Sequence, residues 1–150
     1  MRAVWNAWVD PELVMKWWGP YRFTCPSADM HFHEGGTPLV CTRAPEEFGG
    51  QDIYSTWTYT KIVPMKRIAY IHNLADKSGS RVDPVKMGMP PDFPQDQLHV
   101  IVFNELSDAK TEVSVTEFGW TIGQMMDFSK MGMEQCLDKM ARALSKTRKK

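Results

Sequence analysis

The sequence predicts an α+β fold: an antiparallel sheet of about six strands, two short helices before it and one long helix after it. Three observations carry this. The chain opens with apolar residues at helical spacing, broken and restarted at Asp10-Pro11. Between about residue 28 and Phe118, short segments rich in β-branched and aromatic residues alternate with turn residues. From Thr121 to about Ser145 the apolar spacing becomes helical again.

Taken in order, Ala3 to Val9 places Val4, Trp5 and Trp8 on one side of a first helix. Asp10 as N-cap, Pro11 at the first helical position and Glu12 in the first turn start a second. It runs to about Trp18 and stops at Gly19-Pro20. Ala28, Met30 and Phe32 alternate with Asp29, His31 and His33, which predicts a strand, and Gly35-Gly36 turns the chain. Further strands are predicted at Leu39–Arg43, Ile53–Val63, Arg67–His72, His99–Asn104 and Thr111–Phe118, with a loop over Pro45–Gly50. Short links make the set an antiparallel meander. The segment from Asn73 to Gln97 is rich in Gly and Pro, with Met87, Met89 and Phe93 between them. It is predicted to cover one end of the fold, with one helical turn after Asp83-Pro84. In the terminal helix Ile122, Met126, Ser129, Met133, Cys136, Met140 and Leu144 share a face, and Ser129 and Gly132 are small near its middle.

The 150 residues suit one domain spanning the chain, and the composition, 43% hydrophobic and 24% charged, is that of an ordinary globular protein. Eighteen basic residues balance eighteen acidic ones, so no nucleic-acid-binding face is implied. Cys25, Cys41 and Cys136 are widely spaced and odd in number, which reads as buried thiols in a reducing compartment. No apolar run approaches the length of a membrane span and no leader pattern opens the chain, so a cytoplasmic protein without membrane contact is expected. Eleven Met and six Trp supply adaptable apolar surface for a core or a ligand.

Catalytic signals are absent from the sequence. His31 and His33, two apart on a strand, share a face with Asp29, and His72 and His99 could approach across paired strands. No complete set of ligands is spaced for a metal, so no metal and no cofactor are expected. Glu46, Glu47, Asp52 and Glu117 read as surface charge. Ser55, Ser114 and Ser129 lack the context of an activated nucleophile, and the Gly pairs at 35–36 and 49–50 precede no helix that would cradle phosphate.

The opening Val4-Trp5-Asn6-Ala7-Trp8-Val9-Asp10-Pro11-Glu12-Leu13, followed by Trp17-Trp18-Gly19-Pro20, resembles the START-like (SRPBCC) superfamily. The branch it resembles is the one related to the C-terminal domain of the activator of the ninety-kilodalton heat-shock protein ATPase. Gly35-Gly36, Tyr59 with Ile62-Val63-Pro64 and Arg67-Ile68, and Gly132-Met133 with Leu137-Asp138 fall where that family's later motifs fall. The resemblance implies a helix-grip fold, a curved sheet around the long helix, with a cavity for an apolar or aromatic small molecule between them. It departs from the pattern in two places. His31 and His33 stand where relatives carry an acidic residue and an Arg. The chain also reaches helical sequence by Ala3, leaving no room for the family's first strand.

The expected ligand-binding residues are therefore Trp57, Tyr59, Tyr70, Phe103, Phe118, Trp120, Met125, Met126 and Ser129, with Tyr59 as polar handle. Trp17, Phe128, Ile53 and Ser55 are further candidates for the same space. Binding of an apolar small molecule is the leading expectation. The alternatives are a regulator that touches the heat-shock chaperone and a polyketide cyclase- or hydrolase-like enzyme, for which no catalytic set is legible. Without a first strand, Thr111–Phe118 would be an open sheet edge. That implies either a homodimer through this edge or a natural chain that begins upstream.

Overall fold

Asp10 makes the first fixed corner of the chain. Its Oδ1 accepts the backbone N–H of Glu12 at 2.9 Å, and its own N–H donates to the Asn6 carbonyl at 2.9 Å. One residue thus ends α1 (Arg2–Val9) and caps α2 (Pro11–Trp17). Such a cap contributes about 1 kcal/mol. The corner brings Trp17 back over α1, where its indole N–H donates to the Ala7 carbonyl at 2.8 Å and its ring meets Trp8 edge-on at 4.7 Å.

The computed structural model describes residues 2–87, 95–107, 110–120 and 124–148, with the side chains of 48, 87, 124, 125 and 145–148 outside the description. After the two helices come β1 (Thr24–Asp29), β2 (Leu39–Arg43), β3 (Asp52–Val63), β4 (Arg67–Ala75), β5 (Gln97–Ser107) and β6 (Lys110–Glu117), then α3 (Gln124–Arg148). The sheet order follows the chain order, every pair is antiparallel, and among the described residues β6 is hydrogen-bonded within the sheet to β5 alone. Register shifts interrupt β1, β3 and β5, and such bulges bend a strand and add twist. The sheet curls into a half-barrel around α3, the helix-grip arrangement that the sequence resemblance implies.

The predicted elements form, with shifted bounds. The largest shift is at the first strand. The sequence predicts Ala28–His33, whereas β1 spans Thr24–Asp29 and the chain leaves it before His31, whose φ is +34°. Pro26 sits inside β1, tolerated because β1 is an edge strand paired only with β2. His31 and His33 consequently do not project from one strand. Both are exposed; His31 Nε2 lies 3.0 Å from Asp29 Oδ2, and His33 Nδ1 lies 3.1 Å from the Glu34 carbonyl. The Pro45–Gly50 loop contains a 3-10 turn at Glu46–Phe48, and the turn expected after Asp83 is a 3-10 turn at Pro84–Met87.

On the inner face of the sheet the register lays side chains in two rows. Trp57 is opposite His72 and His72 opposite Gln97. In the next row Tyr59 is opposite Tyr70, Tyr70 opposite His99 and His99 opposite Glu117. Rings run from the helices into this face, Trp8–Trp17–Trp18–Trp57–Tyr70, with neighbouring centroids between 4.7 and 5.6 Å. Trp5 closes the other end against Phe103 and Phe32. From α3, Cys136 and Met140 enter the core, with Met133, Leu137 and Leu144 packed beside them.

The Gly35-Gly36 pair fastens to β3: Gly35 N–H donates to the Tyr59 carbonyl at 2.8 Å, and Tyr59 N–H donates to the Gly36 carbonyl at 2.9 Å. A Cβ at Gly36 would stand 2.1 Å from the His31 carbonyl oxygen, whereas one at Gly35, with φ of +86°, would meet nothing within 4 Å. Gly36→Ala is therefore expected to lower unfolding free energy by more than about 2 kcal/mol. Gly35→Ala carries only a conformational cost, about 1 kcal/mol. Urea unfolding of both variants checks the order, and equal midpoints would contradict it.

Candidate functional site

Between the N-terminal half of α3 and the inner face of β4–β6 lies a cavity of about 390 Å³. Trp18, Gly19 and Pro20 wall one side, and Phe128, Ser129, Gly132, Met133 and Cys136 of α3 form the roof. His72, Gln97, His99 and Glu117 form the floor with Thr42, and Trp120 stands beside them. The space exists because Ser129 and Gly132 put little volume where α3 crosses the sheet. Even an added Cβ at Gly132 would only touch Pro20 Cγ at 3.5 Å. A neighbouring recess of about 300 Å³, lined by Val115, Met126, Lys130 and Leu137 among others, shares Glu117, Trp120 and Met133 with the first.

The floor is a hydrogen-bonded polar cluster in an otherwise apolar setting. Gln97 Nε2 donates to the Phe118 carbonyl at 3.0 Å, so its Oε1 faces His99 Nε2 at 2.9 Å as an acceptor. His99 therefore carries its proton on Nε2, and Nδ1 accepts from the Tyr70 hydroxyl at 3.1 Å. Glu117 Oε1 accepts from Trp120 Nε1 at 2.9 Å and from Ser129 Oγ at 2.7 Å. Glu117 Oε2 lies 4.0 Å from His99 Nε2. His72 stacks on His99 with ring centroids 5.0 Å apart and planes 3° apart, and its Nδ1 is buried without a hydrogen-bond partner among the described residues.

Burial favours the neutral imidazoles. It brings His99 down to about 4 from the ordinary 6.5. Burial, reinforced by the adjoining His99, brings His72 down to about 3. The same loss of solvent pushes the Tyr70 phenol well above its ordinary value and the Cys136 thiol up to about 11, which leaves that thiol unreactive.

The expected ligand-binding residues separate into four groups. Trp120 and Ser129 line the cavity and both hold Glu117; Met126 lines the neighbouring recess. Trp57, Tyr59, Tyr70 and Phe103 are core. Trp57 stacks on Tyr70 at 4.9 Å, the Tyr59 hydroxyl is buried without a partner among the described residues, and Phe103 packs on Trp5. Tyr70 reaches the cavity only through His99. Phe118 is 49% exposed and contributes its carbonyl, and the Met125 side chain lies outside the described residues. Of the segment expected to cover one end, Gln97 lines the cavity as the first residue of β5; Met89 and Phe93 lie outside the described residues, as does the Met87 side chain.

Sequence reasoning allowed the approach of His72 and His99 across paired strands, which occurs, but missed Gln97 and Glu117 in the polar floor. Glu117 is not surface charge: its side chain is only 14% exposed. The available signal was period two, which puts His72 on the face of Tyr70, and Gln97 and His99 on the face of Ile101 and Phe103. The opposite face of β5 carries Leu98, Val100 and Val102, so apolar character does not say which face is inner. Among the described residues no group of three His, Cys, Asp or Glu side chains is placed to hold a metal ion, and no helix is long and apolar enough to cross a membrane.

The histidines give a pH test. The unfolded chain takes up protons near pH 6.5, while the fold keeps both rings neutral until about 4 and 3. Their contribution is thus complete above pH 6.5 and is lost as pH falls. Each histidine adds a slope of up to about 1.4 kcal/mol per pH unit. Urea midpoints between pH 6.5 and 5.0 are expected to fall in the parent and to fall less steeply in His99→Gln. A flat parent profile in that window would contradict buried neutral rings.

The family profile described as activator of Hsp90 ATPase homolog 1-like protein matches residues 1–145. No match is found among curated proteins. Several solved structures share the fold at low identity. A protein from Arthrobacter aurescens superposes with a TM-score of 0.74 at 21% identity, over 96% of this chain and 78% of its own. A protein from Nitrosomonas europaea gives 0.71 at 18% identity, over 99% of this chain and 88% of its own. An AHSA1-like protein from Aeromonas hydrophila gives 0.69 at 17% identity, over 97% of this chain and 85% of its own. A profile match over nearly the whole chain, on a half-barrel gripping a long helix, makes this chain a member of the activator of Hsp90 ATPase homolog 1-like family, within the START-like superfamily.

Proposed function

We propose that this chain binds a small, mainly apolar molecule in the cavity between α3 and the sheet, with the ligand's polar group against the floor of His72, His99 and Glu117. One observation carries the reading: a cavity of about 390 Å³ with apolar and aromatic walls and a single polar end. That volume and that division of polarity suit a small-molecule site, in which apolar walls supply affinity and a few polar groups fix orientation. Trp18 and Trp120 in the lining are natural fluorescent reporters.

Gly132→Phe fills the space from the roof, since a first side-chain carbon there makes only ordinary contact. Titration with the neutral apolar dye N-phenyl-1-naphthylamine is expected to give saturable emission in the parent and none in Gly132→Phe, at closely similar urea midpoints. Equal dye binding by both would overturn the reading. Native mass spectrometry of the purified protein then identifies any ligand carried along. On this reading the chain leaves the ATPase rate of an Hsp90 chaperone unchanged. Stimulation would favour the activity named in the family's description.

A second copy of the chain is the partner we propose for the open side of β6. Among the described residues that strand bonds to β5 alone in the sheet, and its alternating burial leaves Lys110, Glu112, Ser114 and Thr116 on the outer face. An unpaired strand edge favours pairing with another strand. Light scattering is expected to give the mass of a dimer; a monomer across the accessible concentration range would reject it.

A further inference from the structure

Glu117 is a carboxylate at the end of an aromatic cavity, and no ion pair with a Lys or Arg balances it among the described residues. Its Oε1 is occupied by the Trp120 indole N–H and the Ser129 hydroxyl. His99 Nε2 lies 4.0 Å from Oε2, and the proton on that nitrogen is already directed at Gln97. Among the described residues neither Lys nor Arg forms an ion pair with Glu117. The Lys139 ammonium of α3 is spent on the carbonyls of Gly19 and Phe23 at 3.0 Å each. Lys130 lines the neighbouring recess and makes no ion pair with Glu117. Both imidazoles beside it are neutral, and His72 adds a buried Nδ1 without a partner. A cation at Oε2 would make a charge-assisted hydrogen bond with this carboxylate.

The walls suit the same partner. Trp18, Trp120 and Phe128 border the cavity, and aromatic faces attract cations through the ring quadrupole. A ligand carboxylate or phosphate would meet Glu117 with like charge, and no Lys or Arg is among the described residues that line the cavity.

Resting on the reading that the cavity holds a small molecule, we infer that its ligand class is a protonated amine on an aromatic or aliphatic body. The ammonium sits at Glu117 Oε2, and the body lies between Trp18, Phe128 and Met133. Charge-assisted hydrogen bonding and cation–π attraction act on the same group, so the amine outbinds its neutral isostere, and the anion binds weakest.

The test is isothermal titration calorimetry at pH 7 with three probes on one ring system: 1-naphthylmethylamine, 1-naphthalenemethanol and 1-naphthoate. The amine is expected to bind about tenfold or more tightly than the alcohol, with naphthoate weakest. In Glu117→Gln the advantage of amine over alcohol should disappear, because both probes then meet a neutral amide at that position. If amine and alcohol bind the parent equally, or naphthoate binds best, the amine assignment is overturned and the cavity reading stands. If none of the three binds, both fall. The comparison of probes on the parent protein decides the matter even if Glu117→Gln does not fold.

Discussion

The ammonium of Lys139 holds the two halves of the molecule in register. It projects from α3 and donates to the carbonyls of Gly19 and Phe23, each at 3.0 Å, across the turn that leaves α2. Burial holds this ammonium below the usual lysine range, and the carbonyl oxygens compensate its partial loss of water. Around it the same turn is bound again: Tyr21 N–H donates to Gln135 Oε1 at 3.0 Å, the Tyr21 hydroxyl bonds Asp138, and Arg142 lies over the Tyr21 ring. The Trp18-Gly19-Pro20 wall therefore moves with α3. Without this clamp neither the depth nor the outline of the cavity would be defined.

From that clamp the aromatic train propagates inward. Edge-on contacts from Trp8 through Trp17 and Trp18 end in the stacked pair of Trp57 and Tyr70. Large rigid rings in mutual contact leave little freedom for the sheet to close onto the helix. The helix in turn is built of small or flexible residues where it faces the floor, at Ser129, Gly132 and Met133. Space between α3 and the sheet follows from this mismatch, large on the strands and small on the helix.

The floor shows how a polar cluster survives there. Tyr70, His99, Gln97 and the Phe118 carbonyl form one directed chain of hydrogen bonds in which each donor meets an acceptor. Such a chain fixes the tautomer of His99 and the face it turns to its neighbours. Glu117, tied by Trp120 and Ser129 on one oxygen, is held in place by both the strand end and α3. The cluster is thus built across the β4–β5–β6 ladder and completed from the helix.

The order of the elements was legible in the sequence because each is a local matter. Asp10-Pro11-Glu12 caps a helix by its own chemistry, and the spacing of Met126, Met133, Cys136 and Met140 marks a helix face wherever the chain goes. The family was legible in Trp17-Trp18-Gly19-Pro20, of which the last three residues turn out to be the wall that Lys139 grips. The true first strand was hidden by Pro26, a residue permitted only because β1 lies at the sheet's edge. Tertiary structure alone decided which aromatic residues are core and which are wall. Trp57, Tyr59, Tyr70 and Phe103 lie in the packed centre, and Trp18 and Trp120 border open space. Alternation assigns a side chain to one of two faces, but it carries no information on how far the sheet curls or where the helix stands off from it. Those depend on bulges, on small residues opposite large ones, and on a lysine more than a hundred residues from the turn it holds.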